Sequence, residues 1–261
     1  MNWLRAISFA VVFLLLVPIM VLLYYGLGPL RSPAGFAPLI FRSIELSLVA
    51  SAVAALIDFG LFTPLAYHLA RSGDTFLEAL VDIPVGVPHP IIGVALLILD
   101  SPLTPTGQFL LHLGVNFFDT ILGLVIALVI MSAPIYVKSI QPYFESKDVS
   151  AEQFAMGMGA SRLRTLVSIV LPDSAAGVTS ASLVAMSRAL GEFGSISIIA
   201  FYVLQYPFYG VSPASVTVFQ LFNGAVPGGL DAAVTASAVM ILVSLPVAVA
   251  GHFFGRRGRS R

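Results

Sequence analysis

The sequence has no cysteine and one tryptophan, and only 10% of its residues are charged. Without cysteine there are no disulfides, no thiolate metal ligands and no Cys nucleophile, while the compartment stays open. The scarcity of charge excludes more. Soluble domains carry about 25% charged residues, so these 261 residues cannot cover a water-facing surface. No G-x-x-x-x-G-K-[ST] loop occurs, so ATP hydrolysis is not expected of this chain. No HExxH and no close carboxylate pair within an apolar run occurs either, which leaves intramembrane enzyme chemistry without machinery. His68, His89, His112 and His252 are scattered, without the spacing of a metal site.

What is present is hydrophobicity, at 58% of the residues. A helix needs about 20 mostly apolar residues to cross a bilayer. The apolar runs here are continuous, whereas barrel strands alternate over about ten residues. The expected class is therefore an all-α polytopic membrane protein, one domain over residues 1–261. Spans are expected near residues 6–25, 43–70, 81–99, 120–137, from Pro172 to about 202, and 232–254. The first run exceeds the 7–15 apolar residues of a signal peptide and leads into Gly26-Leu27-Gly28-Pro29, so a retained span is expected.

The 13 basic and 13 acidic side chains cancel, so their placement matters. Cytoplasmic loops hold excess Lys and Arg. With the N-terminus inside, Arg5, Arg71, Lys138, Lys147, Arg162, Arg164, Arg256, Arg257, Arg259 and Arg261 are inner, against Arg31 and Arg42 outside. Both termini are then cytoplasmic and the span number is even, and six fits. The terminal basic run reads as a topology anchor near anionic headgroups, not as a nucleic-acid site.

The inner segment 141–171 is the longest polar insert. Ser150-Ala151-Glu152-Gln153 has the pattern of a capping box, with Ser150 as cap and Gln153 reaching back. A short helix should run to about Met158, with Gly159 closing it and Ser161 capping the next. Phe154 and Met158, four apart, share a face. An apolar face on a short helix beside a membrane suits an interfacial helix or one docked in a groove of a soluble partner. Helix physics leaves both open.

Glu152-Gln153-Phe154-Ala155-Met156-Gly157-Met158-Gly159-Ala160-Ser161, followed by Leu171-Pro172, resembles the "EAA" loop of ABC-importer permeases. It departs in having Gln153-Phe154-Ala155 where Glu-Ala-Ala is usual, with Glu152 one residue early. The segments 63–71, 82–93 and 132–136 are similar, in order, to further family segments, and residues 187–195 resemble the "RAxxEFG" signature of molybdate, tungstate and sulfate permeases. Pro88-His89 and residues 199–202 lean toward the molybdate/tungstate branch.

The resemblance implies a type I ABC importer permease architecture working as a dimer of two copies. It implies two cytoplasmic ATPase subunits, which bind ATP and Mg so that this chain needs no cofactor, and an external binding protein that delivers the anion. Glu152, Gln153, Phe154, Ala155, Met158, Gly159, Ala160, Ser161 and Arg162 would then form the ATPase-coupling segment. Pro88, His89, Ser187, Arg188, Glu192, Phe193, Gly194 and Ser195 would line or gate the path. Charged groups at membrane depth face the bundle interior or a cavity, so Arg188 and Glu192 are either a gate or a self-neutralising packing pair. Asp58 reads as structural, paired with Arg188 or protonated, and His89 reads first as a packing residue. The rivals are a sulfate, thiamine or iron permease of the same architecture, and a secondary transporter, which would not need the capped inner helix.

Overall fold

The computed structural model describes residues 2–30, 34–224 and 227–259. The predicted outer Arg31 and inner Arg261 lie outside the described residues. Every named strand is missing among the described residues, and the chain is a bundle of helices. Helix α1 (Asn2–Leu27) stands at the edge with its apolar side chains exposed. Helices α2 (Ala37–Ile57) and α3 (Thr63–Ser72) are one apolar rod, Ala37–Ser72, joined by a π-helical turn at Asp58–Phe62. Pro64 follows that turn at once. A proline lacks the N–H and its ring excludes the carbonyl four residues back, and a widened turn relieves both. The same device recurs where the π-helical turn Leu166–Val170 precedes Leu171-Pro172.

The expected third span is two helices. Helix α4 (Thr75–Gly86) and α5 (His89–Asp100) meet at 99°. Residues before proline avoid the helical region, and Val87 before Pro88 is extended, so α4 ends there, while Pro90 sits in the first turn of α5, where its missing N–H costs nothing. Helix α6 (Pro105–His112) folds back beside α5. Helix α7 (Ile121–Glu145) is the central span, and it packs on α2, α3 and the later α11.

The inner segment holds α8 (Ser150–Gly157), α9 (Arg162–Thr165) and α10 (Leu171–Asp173). From there the chain turns by 86° at buried Ser174 into α11 (Ala175–Leu190). The fifth span was expected to reach residue 202. It stops at Leu190, because Gly191 opens a turn and the short α12 (Ile196–Ile199) then runs separately. Its 16 residues reach about 24 Å at 1.5 Å per residue. Helices α13 (Ala214–Asn223) and α14 (Gly229–Arg259) complete the bundle. Among the described residues four helices are long and apolar enough to span a membrane, and the two bent pairs raise the number to as many as six.

The ends sort by chemistry. Arg71, Phe144, α8 and Lys147 sit together, with Lys147 Nζ 3.0 Å from Asp173. At the opposite end the Asp100 carboxylate accepts from the N–H groups of Phe117 and Phe118, and Arg42 donates to the carbonyl of Pro207. Arg42 thus lies at the end away from the basic cluster, as expected. The break at residues 87–88 lies between these ends, since α4 starts near Arg71 and α5 finishes at Asp100.

Candidate functional site

Two clusters gather the predicted residues. The first lies where the α4/α5 break meets the end of α11. The Glu192 side chain is fully buried. Its Oε2 is 3.2 Å from Arg188 Nη1 and 3.0 Å from His89 Nδ1, and its Oε1 accepts from the N–H and hydroxyl of Ser195, each at 3.0 Å. Arg188 Nη2 lies 3.1 Å from His89 Nε2. One tautomer suits all of this: Nδ1–H donates to Glu192, and Nε2 accepts from Arg188. Ser215 on α13 donates to the Glu192 carbonyl at 2.6 Å, a contact the sequence did not signal.

The neighbouring glycines let the two segments touch. A Cβ on Gly194 would stand 2.6 Å from His89 Cβ, and one on Gly93 would stand 2.4 Å from the Ser195 carbonyl oxygen. Pro88 is exposed at the bend, Ser187 is half-buried, and Phe193 packs 5.1 Å from Phe219 on α13. The structure therefore brings His89, Arg188, Glu192, Gly194 and Ser195 together in one brace. Its chemistry is self-neutralising, because the carboxylate has four contacts and the guanidinium is already matched. Asp58 is not its partner: fully buried, it accepts from Ser132 Oγ at 2.5 Å on α7.

The second cluster is the inner loop. Ser150 was expected to cap α8. Instead Ser150 is its first helical residue and Val149 holds the cap position without a side-chain bond, while Asp148 just before it accepts from the Ser150 N–H at 3.0 Å and hydroxyl at 2.7 Å. A carboxylate makes a stronger acceptor than a hydroxyl. Helix α8 closes as expected at Gly159, whose φ of 91° a side chain would strain. Ala160 N–H bonds Ala155 O and Gly159 N–H bonds Met156 O, which is the Schellman pattern. Ser161 caps α9 through the Arg164 N–H at 3.3 Å.

Of the nine predicted coupling residues, Phe154 and Met158 are 74% and 77% exposed. Gln153, Gly159, Ser161 and Arg162 are also exposed, with Ala155 and Ala160 half-buried. Glu152 points the other way. It is buried against α3, where Arg71 Nη2 and Nε reach it at 2.6 and 3.1 Å and the Tyr67 hydroxyl at 2.7 Å. Burial pushes its pKa up, but the hydrogen bonds from Arg71 and Tyr67 and the Arg71 charge outweigh this and hold it below the ordinary glutamate value. A cleft of about 520 Å³ separates α3 from α8 and α9, lined by Tyr67, His68, Arg71, Gln153, Met156 and Arg162 among others.

Residues 59–259 match the model of the family described as binding-protein-dependent transport system inner membrane component. The chain belongs to that family. It is the permease subunit of an ABC importer and a multi-pass membrane protein. The permease is 31% identical, over 85% of its length and 81% of the relative's, to the molybdate/tungstate transport system permease protein WtpB of Pyrococcus furiosus. It is 28% identical, over 84% and 79%, to the sulfate transport system permease protein CysT of Salmonella typhimurium. Its fold is that of a chain in the crystal structure of a bacterial alginate ABC transporter in complex with alginate pentasaccharide-bound periplasmic protein. The TM-score is 0.67 at 17% identity, covering 98% of this chain and 94% of that one.

Proposed function

We propose that this permease carries a small tetrahedral oxyanion, molybdate or tungstate, across the membrane by alternating access. A second copy of the chain completes the path, two ATPase subunits drive it, and an external binding protein delivers the anion. One observation carries the coupling part of this reading. Helix α8 turns the apolar Phe154 and Met158 into water at the basic end of the bundle, and such an unpartnered helical face fits a groove on a soluble protein.

The substrate class rests on relatives whose named substrates, molybdate, tungstate and sulfate, are all tetrahedral dianions. The self-neutralised Arg188–Glu192–His89 cluster agrees with a path rather than a store, because a permanently free buried cation would trap a dianion. Selectivity among these anions then belongs mainly to the binding protein.

The test uses proteoliposomes holding the permease, with and without its ATPase, and follows binding-protein-dependent uptake of labelled tungstate, molybdate and sulfate. Uptake should need the ATPase and ATP and vanish in Phe154→Arg, and the preferred anion names the substrate. Uptake that persists without the ATPase would overturn the coupling and point to a secondary carrier.

A further inference from the structure

Helix α8 has an unusual attachment. Among its described residues Glu152 alone is buried, while the faces on either side are exposed or half-exposed. Helix α8 packs beside α9 and the turn Leu166–Val170, and its one buried side chain, a carboxylate, ties it to α3. Burying a carboxylate is costly unless it is paired and hydrogen-bonded. Here it is doubly so. The Arg71 fork grips both oxygens, 2.6 Å from Oε1 and 3.1 Å from Oε2, and Tyr67 adds a third bond at 2.7 Å. Tyr67 and Arg71 are four apart on α3 and so present one face.

The same guanidinium also donates from Nη1 to the Phe144 carbonyl, 2.7 Å away, in the last turn of α7. A cation suits a helix C-terminus, where carbonyls lack helical partners. One arginine thus joins α3, the end of α7 and α8. Above it, α3 is continuous with the π-helical turn at Asp58–Phe62, and the Thr63 hydroxyl contacts the Tyr136 hydroxyl on α7 at 2.6 Å. The bonds of Glu152 to Arg71 and Tyr67 give a push on α8 a direct route to α3.

We propose that Arg71 and Glu152 are a positioning pair that make α8 ride as one body with α3, so that movement of the coupling segment enters the membrane through the second span. This rests on the reading of α8 as the ATPase-docking helix and assigns the route by which docking acts. Neither residue touches substrate. Glu152, one place ahead of the usual acidic position, faces inward to its own bundle and leaves the docking face to Phe154 and Met158.

The absence of native cysteine makes the test specific. In proteoliposomes with the ATPase and binding protein, uptake of tungstate, molybdate and sulfate and ATP hydrolysis are measured on the same vesicles. Glu152→Gln, and Arg71→Cys with Glu152→Cys in reduced form, should keep the ATPase bound and hydrolysing within about twofold of wild type. Anion moved per ATP should fall about tenfold, the mid-range effect of a residue on a coupling route. Joining the two cysteines with a short bifunctional thiol reagent should restore the ratio, which a merely structural role would not do. Wild-type stoichiometry in both variants overturns the proposal. So does a pair that stays uncoupled when joined, since α8 must then move against α3. Phe154→Arg separates the two readings. If that variant keeps its ATPase and its transport, α8 is not the docking helix and both readings fall. If it loses the ATPase while Glu152→Gln couples normally, the positioning pair alone fails.

Discussion

Two glutamates of this permease are buried against arginines, and they are held by opposite means. Glu192 is gripped largely from its own neighbourhood, by Arg188 four residues before it and Ser195 three after, with His89 arriving from α5. Glu152 has no such local support. Both of its charged contacts come from Arg71, 81 positions away. The first cluster locks the end of one helix onto the break in another, inside the bundle. The second ties a largely exposed helix, packed beside α9, to the bundle. The difference separates two roles: the Glu192 brace joins segments within the bundle, and the Glu152 anchor joins a largely exposed helix to it.

The largest effect should come from Glu192. Replacing it by Ala leaves Arg188 half-buried with no carboxylate, a loss of about 3 kcal/mol, the lower range for breaking a buried pair. Glu152→Gln should instead release α8 locally and leave the global melt nearly unchanged, because segments with few buried contacts open independently. Thermal melting of the purified permease in detergent, beside hydrogen exchange of the α8 amides, checks both halves. Equal melting shifts for the two variants would erase the distinction.

This contrast also marks what could be read from the sequence. Apolar runs of span length placed the helices, since little else in a chain so poor in charge could stand in lipid. The break has a local cause too, because Pro88 disfavours helix at Val87, which is extended. Arg188 and Glu192 stood four apart in plain view, and the two matching glycine-bearing segments came together as a single brace. The end of the fifth span was not legible. The apolar pattern continues past Gly191, and only the tertiary contacts of Glu192 with Ser195 and Ser215 show that the chain has left the helix. Nor was the start of α8 legible: Ser150 is its first helical residue, and the local acceptor is Asp148, two positions earlier. Least visible was the partner of Glu152. Arg71 sat at the end of a recognisable segment as one more inner cation, and nothing local links residues so far apart.

A smaller effect sharpens the inner half of the comparison. Gly194→Ala would force a Cβ to within 2.6 Å of His89 Cβ and 3.1 Å of Pro90 Cδ. Overpacking of this kind costs about 1–3 kcal/mol, paid in separation of α5 from the α11–α12 turn. Gly86→Ala at the end of α4, where nothing lies within 4 Å, is the control and should melt as wild type. If Gly194→Ala also melts as wild type, the contact between the two segments is not a brace.

The smallest effect is a change with pH at the Glu152 anchor. The Glu152 carboxyl is held below its ordinary value of 4.5, so its anchoring is complete above that value and is lost as pH falls through the lower folded one. At neutral pH nothing should change. A spin label on Met158→Cys, in a chain without competing thiols, reports the mobility of α8 directly. Mobility should stay flat as the pH falls from neutral through the ordinary glutamate value of 4.5 and rise only in more acid solution. The same label in a Glu152→Gln background should be mobile throughout, with no pH step. A wild-type label that stays immobile in acid would mean that α8 is held by packing after all, and the two glutamates would then differ only in where they sit.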